Sequence, residues 1–408
     1  MRILIGKSLS KKALTNVVMA IGVLVLSGTF QRAKAQCTKF VSPAGSDSNS
    51  GTTLSAPWLT VEHAFQNVSA GDYVCFRGGW YPQNPQNGGT GTDRCLTDGT
   101  YSQILRTGGT STNWITFTNY PGEMAVIQGD TRIDGQTCHS YIGAQYVNFL
   151  GTPVLNGGLV FQGCSSKTAV SCTGNTTRDL IDVMYTHDIT FDHVEIRNAE
   201  YHAGLYQYTD GTGGGYNIQV VGCYIHDNGV NTTLDHGIYW DTNAGTGNLI
   251  ANCLIANNAA SGVQLHGATS PQFEIDVEEN TIVGNGYYGV TVSGSNHKVV
   301  NNIMSNNETS NTGTQLHLNG SNFYVDSNIL YDMTASRQGY TNISCTGCNI
   351  TTNNWGAQNP ALWDAADHNY RLQSTSPAIG EGNSSYTQTT DKDGVTRTSS
   401  QVLGAYVD

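Results

Sequence analysis

The chain has 408 residues, 48 of them glycine and 10 cysteine, with 12% charged side chains and a formal charge of −12. Low charge with abundant Gly, Asn, Ser and Thr excludes a disordered polyelectrolyte and suits a turn-rich all-β protein. The acidic balance argues against nucleic acid or an anionic membrane surface as partner.

In chain order, residues 1–35 read as a secretory signal peptide. Lys7, Lys11 and Lys12 precede an apolar run from Val17 to Leu26, and Ala33-Lys34-Ala35 supplies small residues for cleavage. The run is shorter than the ~20 residues a membrane helix needs, and no other run could span a bilayer. The expected destination is extracellular or periplasmic. This segment holds six basic and no acidic residues, so the remainder has 13 Lys and Arg against 31 Asp and Glu, a formal charge of −18. Ten cysteines in an exported chain imply disulfides.

Residues 36–408 read as one domain. Residues 36–81 are an N-terminal cap with the first coil. Thr60 is placed to N-cap a short helix through Val68, with Val61, Ala64, Phe65 and Val68 on one side. Residues 82–375 are coils, opening on a Gly-, Asn- and Pro-rich loop from Pro82 to Gly99. Residues 376–408 are a C-terminal tail or cap.

The coils repeat. Five segments align on a glycine: Gly204-Leu-Tyr-Gln-Tyr208, Gly237-Ile-Tyr-Trp-Asp241, Gly262-Val-Gln-Leu-His266, Gly289-Val-Thr-Val-Ser293 and Gly313-Thr-Gln-Leu-His317. Apolar and polar positions alternate after the glycine, with Gln207 and Thr314 as misfits, so each segment is a strand with one buried face. A second column, Ile196, Ile225, Ile255, Ile282, Ile303 and Ile329, recurs every 21 to 30 residues, with Asn228, Asn258, Asn285 and Asn306 three residues after four of them. A period of this length without helical periodicity marks a solenoid in which like residues stack on like. Cys223 and Cys253 fall two residues before their isoleucines and should stack about 4.8 Å apart, making them a disulfide candidate. Cys345-Thr-Gly-Cys348 reads as a tight disulfide loop in preference to half a metal site, because no second pair with zinc spacing follows.

The Val41-Ser-Pro-Ala-Gly-Ser-Asp47 start, the Ala70-Gly-Asp-Tyr-Val-Cys-Phe-Arg-Gly-Gly79 stretch, the repeats, and the Ser376-Pro-Ala-Ile379 and Leu403-Gly-Ala-Tyr406 ending resemble the pectate-lyase-like right-handed parallel β-helix superfamily. The resemblance implies that fold and a polysaccharide partner. It also implies, for lyases, a lysine or arginine base and calcium to hold a uronate carboxylate.

The outward strand face carries Tyr206, Tyr239, Gln264, Thr291 and Gln315, and beside them Tyr208, Asp241, His266, Ser293 and His317. Tyrosines that stack on sugar rings and side chains that satisfy hydroxyls compose an oligosaccharide track. His266, His236, Asp241, Tyr239 and Asp235 are the candidates for catalysis. An imidazole suits proton transfer near neutrality, and a carboxylate can act as base or cation ligand. Asp235 and His236 enter their strand as Glu200 and His202 do one coil earlier. No lysine or arginine lies on the aligned face, and Arg197 is the nearest basic residue to the substrate. An acidic polymer would therefore need Ca2+, with Asp241, Asp235 and Asp210 as candidate ligands. The expectation is a lyase or epimerase acting on a uronate-containing polysaccharide. The alternatives are a glycoside hydrolase of a neutral glycan and a non-catalytic carbohydrate-binding surface protein.

Overall fold

A computed structural model describes residues 37–82, 103–129, 131–134, 144–153, 158–163, 179–209, 215–242, 245–267, 274–307, 314–365, 368–397 and 402–407. The expected signal peptide, most of the Pro82–Gly99 loop and Asp210 lie outside these residues. Three long parallel sheets of 11, 9 and 9 strands wind around one core, as a right-handed parallel β-helix requires. The first sheet runs from Lys39–Val41 to Asn349–Ile350, the second from Gln103–Leu105 to Tyr340–Thr346, and the third from Gly79–Tyr81 to Ile329–Tyr331. Among the described residues, no helix is long and apolar enough to cross a membrane.

The only α-helix among the described residues, Val61–Asn67, covers the start of the coil stack. Thr60 caps it, its hydroxyl accepting from the His63 N–H at 3.1 Å, and Val61, Ala64 and Phe65 are buried. Phe65 meets Phe117 edge-to-face at 5.0 Å, which joins the cap to the Phe117–Phe149–Phe191 stack of the first sheet. A Cys37–Cys75 disulfide ties the entry strand to the next coil. Cys345 and Cys348 are also bridged, as their spacing suggested.

Glycine and asparagine columns prove to be one device. A ladder of buried amides runs Asn228–Asn258–Asn285–Asn307, each Nδ2 donating to the Oδ1 of the next at 2.8–2.9 Å, and Gln315 closes it. A Cβ at Gly204 or Gly237 would lie 2.7 Å from the Nδ2 of Asn228 or Asn258. The glycines therefore clear the space that the amides fill.

The register departs from the sequence alignment at two places. Met304 and Leu330, not Ile303 and Ile329, continue the inward column below Ile282. A one-residue slip turns a side chain to the opposite face, so Ile303 and Ile329 point outward. There they pack against Leu372, Ala378, Val402 and Leu403 of the tail, which lies along the third sheet. The matching ladder residue is Asn307 in place of Asn306. Further along, Leu316 pairs with Val290 and His317 with Thr291, two positions from the glycine-based alignment. A shift of two preserves the alternation, so polarity could not reveal it.

Cys223 and Cys253 stack as expected, both fully buried, but they remain thiols. In-register stacking keeps their Cβ atoms near the strand spacing, wider than the ~3.8 Å usual across a disulfide. Each sulfur instead turns to backbone carbonyls, Cys223 to Val221 at 3.4 Å and Cys253 to Ala251 at 3.2 Å.

Gln207, the misfit of the sequence pattern, is wholly buried beside Trp240, and neither its Oε1 nor its Nε2 has a hydrogen-bond partner. A buried amide left unpaired costs about 1–3 kcal/mol. Gln207→Leu is thus expected to stabilise the protein by about 1 kcal/mol or more in urea unfolding. A loss of stability would mean that the amide has a partner in solution.

Candidate functional site

The second sheet places the tyrosines in register. Tyr206 pairs with Tyr239 and Tyr239 with Gln264, while Tyr208, Asp241 and His266 occupy the adjacent column in successive coils. Leu205, Ile238 and Val263 alternate with them and are fully buried, which turns the tyrosines outward.

Six rings gather there. Tyr206 and Tyr239 are 5.4 Å apart, and Tyr208 lies 6.1 Å from Tyr206. Tyr239 also meets His202 at 4.7 Å, His236 at 5.4 Å and His266 at 6.1 Å, the last two near-parallel. His266 is exposed, and Tyr206, Tyr208, Tyr239 and Gln264 are half-buried. Asp241 holds its predicted place beside His266 in the backbone register; its side chain lies outside the described residues.

His202 occupies a position that the sequence noted without assigning a role. Its Nδ1 lies 2.6 Å from Asp179 Oδ1, an imidazole–carboxylate pair at the edge of the tyrosine cluster. The Nδ1–H donates to the carboxylate, which fixes the tautomer with the proton on Nδ1 and the lone pair on Nε2. Asp182 and Arg132 were also missed. Asp182 pairs with Tyr206 and Arg132 with Asp182, so a basic residue shares this register column after all. The strand Thr131–Asp134 lacks the glycine signature but keeps the period-two alternation, which was the available signal. Asp179 is 23 residues from His202 and outside any strand, so no spacing rule links them.

Asp235 is placed differently from expectation. It is buried, and its carboxylate accepts three backbone N–H bonds, from His202 at 2.8 Å, Val230 at 2.8 Å and Asn231 at 2.7 Å. It holds the loop before its strand against the His202 approach instead of presenting oxygens to a cation or substrate. Gly229 in that loop has φ +80°, and a Cβ there would lie 2.1 Å from the Asp235 Cβ, so only glycine fits. Val230 and Leu234 project from the loop into solvent.

His236 is buried too. Its Nδ1 accepts the Ser261 N–H at 3.2 Å, so its proton sits on Nε2. Burial, with the neighbouring His202, pushes its pKa down to about 3. It stays neutral and is a poor base, which removes the proton-transfer role suggested for it.

Beyond the third coil two residues of the expected track, Thr291 and Gln315, are buried. Thr291 is buried with its hydroxyl 3.4 Å from that of Ser261. Ser293 is half-buried, and its carbonyl lies 3.2 Å from His297 Nε2. Tyr288 packs 4.7 Å from His317, whose burial lowers its pKa. Gln315 is fully buried as the end of the amide ladder and cannot touch substrate. Arg197 lies on a strand of the third sheet, bonded to Gln162 at 2.9 Å and Glu195 at 2.5 Å, away from the tyrosine face.

The described carboxylates do not assemble a calcium cage. No group of three His, Cys, Asp or Glu side chains among the described residues is arranged to hold a metal. Asp179 is turned to His202, and Asp235 is committed to backbone amides.

A family model described as "Pel9A-like, right handed beta helix region" matches residues 39–283. Among solved structures, the chain is similar to pectate lyase Pel9A, with 15% identity, a TM-score of 0.52, and coverage of 90% of this chain and 96% of that one. It is also similar to a rhamnogalacturonan lyase, with 16% identity, a TM-score of 0.52, and coverage of 86% and 97%. No curated protein matches the chain by sequence. At these identities the structural likeness establishes the fold, and the sequence match, spanning more than half the chain, places the protein in the Pel9A-like right-handed β-helix family.

Proposed function

We propose that this is an exported polysaccharide-active protein, working as a lyase or epimerase on a uronate-containing chain bound across Tyr206, Tyr239 and His266. The observation that carries the reading is the Asp179–His202 pair set against the Tyr206–Tyr239 cluster. Elimination or epimerisation at a uronate begins with loss of the proton beside the carboxylate. It needs a base within reach of a bound sugar ring. His202, oriented by Asp179, fills that role. Tyr239, in contact with His202 and His266, is placed to carry a proton to or from the opposite side of the ring. Tyr206 and Tyr208 supply stacking surface.

The known actions of a pectate lyase and a rhamnogalacturonan lyase on this fold support a uronate polymer as the first substrate to test. A calcium requirement would fall to Asp241 and Asp210 together with loop residues. The test is a panel of pectate, rhamnogalacturonan, alginate and neutral glycans, with and without chelator, read for unsaturated ends, new reducing ends and C5 inversion. Unsaturated product or inversion on a uronate polymer is the expected result. New reducing ends on a neutral glycan, without unsaturation, would make it a hydrolase. Binding without turnover would make it a carbohydrate-binding protein.

A further inference from the structure

A second aromatic feature runs along the corner where the second sheet turns into the first. Trp114, Tyr146, His187 and Tyr216 sit there in four successive coils, at or just before the first residue of strands that pair in register. Consecutive ring centroids are 5.5, 5.6 and 4.5 Å apart. Tyr146 stands edge-on to both Trp114 and His187, and His187 lies within 7° of parallel to Tyr216.

The chain builds this corner at a conformational cost. Tyr146 has φ 53°, and Tyr185, two residues before His187, has φ 52°. A bulky side chain rarely takes this left-handed conformation. In the column of Tyr146 the next two coils carry Asp188 and Asn217, at φ 55° and 52°, residues that adopt it more cheaply. Asp188 also positions its neighbour. His187 Nδ1 lies 2.6 Å from Asp188 Oδ2, while Asp188 Oδ1 accepts from Asn217 Nδ2. A Cβ at Gly245 would lie 2.2 Å from Tyr216 Cβ, so glycine lets the next turn cross the base of Tyr216. The Tyr216 ring stays 39% exposed, and Trp114, Tyr146 and His187 are half-buried. The stacked rings of Phe117, Phe149 and Phe191, by contrast, are fully buried in the core. Contiguous aromatic surface kept in water is a mark of binding.

The strip joins the tyrosine face. Tyr185 meets Tyr208 edge-on at 5.6 Å, and Tyr208 is 6.1 Å from Tyr206. From Trp114 to His266 the rings cover six successive coils, about 24 Å at the ~4.8 Å strand spacing. A pyranose ring offers its axial C–H groups as an apolar face, which aromatic side chains cover while its hydroxyls stay in water. Asp188 brings negative charge to the strip, so the attraction is to ring faces and not to a uronate carboxylate.

We propose that Trp114, Tyr146, His187 and Tyr216 form a second binding strip, which holds pyranose rings of the glycan several units away from the one beside His202. The strip rests on the assignment of the tyrosine face to a glycan, and it extends the path of that glycan towards the N-terminal coils.

The test is affinity electrophoresis of the full chain in native gels containing pectate, rhamnogalacturonan, alginate or a neutral glycan, at low and moderate salt. At least one polymer should retard the parent. Tyr216→Ala and Trp114→Ala should each raise the apparent dissociation constant by about three- to tenfold at either salt concentration. Tyr216 is the most exposed of the four, so its variant carries the comparison if Trp114→Ala does not fold. Equal retardation of the parent and Tyr216→Ala would overturn the strip, as would a parent that no polymer retards. Tyr206→Ala separates the strip from the tyrosine face. Weaker retardation of Tyr206→Ala, with Tyr216→Ala like the parent, would keep the glycan on the tyrosine face and remove the strip. Weaker retardation of Tyr216→Ala by a polymer that the parent neither cleaves nor epimerises would keep the strip and remove the proposed reaction.

Discussion

His202→Ala is expected to lower turnover of a uronate polymer by about 10²–10⁴-fold, the range for a lost proton-transfer group. The folded state should survive, because His202 is an edge residue with its side chain 38% exposed. Asp179→Asn tests the pairing separately. An amide can present its NH2 to Nδ1 and favour the wrong tautomer, so kcat should fall while KM changes little. His236→Ala probes another property. His236 is held neutral by burial and bonded to the Ser261 N–H, so its loss should appear first as instability. Activity measured on the folded fraction separates the two histidines. Full activity in His202→Ala would remove it from the chemistry.

The second large effect concerns the amide ladder. Asn258→Ala is expected to destabilise the protein by about 3–5 kcal/mol, through several buried groups losing their partners at once. Asn258 Oδ1 accepts from the Asn228 backbone N–H at 3.2 Å and from its Nδ2 at 2.9 Å. Its Nδ2 donates to the Ile225 carbonyl at 3.2 Å and to Asn285 Oδ1 at 2.9 Å. Alanine supplies none of these, and the coil above and the coil below are both affected. Leucine would be no remedy, since Gly237 leaves space for a planar amide against its backbone and nothing branched. Asn353→Ala, at an exposed position near the end of the stack, is the control and should cost far less. A loss below about 1 kcal/mol in urea unfolding of Asn258→Ala would show that water replaces the side chain in the ladder.

The sequence made the solenoid legible because two signals agreed. Glycine recurred at a fixed place in four successive coils, at Gly204, Gly237, Gly262 and Gly289, and apolar residues alternated after it. The structure adds why glycine was needed: the Asn228 and Asn258 amides occupy the space a Cβ would fill. Polarity alone could not fix the register where neighbours were equally apolar. Ile303 and Met304 could each have faced inward, and only the tail resting on Ile303 explains the choice. At Gln315 a shift of two residues left the alternation intact and hid the exchange of a surface position for the end of the ladder.

The candidate site was legible in part. Tyr206, Tyr239 and His266 followed from register, since adjacent coils bring equivalent positions together. Asp235 and His236 looked equally available, because a one-dimensional pattern does not show that backbone amides already occupy a carboxylate or an imidazole nitrogen. Asp179 escaped notice for a different reason. It belongs to a connection between strands, where no periodicity operates, and only the closed coil brings it to His202.

A lyase or epimerase of the proposed kind holds its sugar chain on the tyrosine face of the second sheet. A crystal structure of the His202→Ala protein with a galacturonate oligomer tests this most directly. Pyranose rings are expected over Tyr206 and Tyr239, with one ring beside the vacated imidazole position and Asp179. An oligomer ordered along the first or third sheet, with Tyr206 and Tyr239 left uncovered, would contradict it.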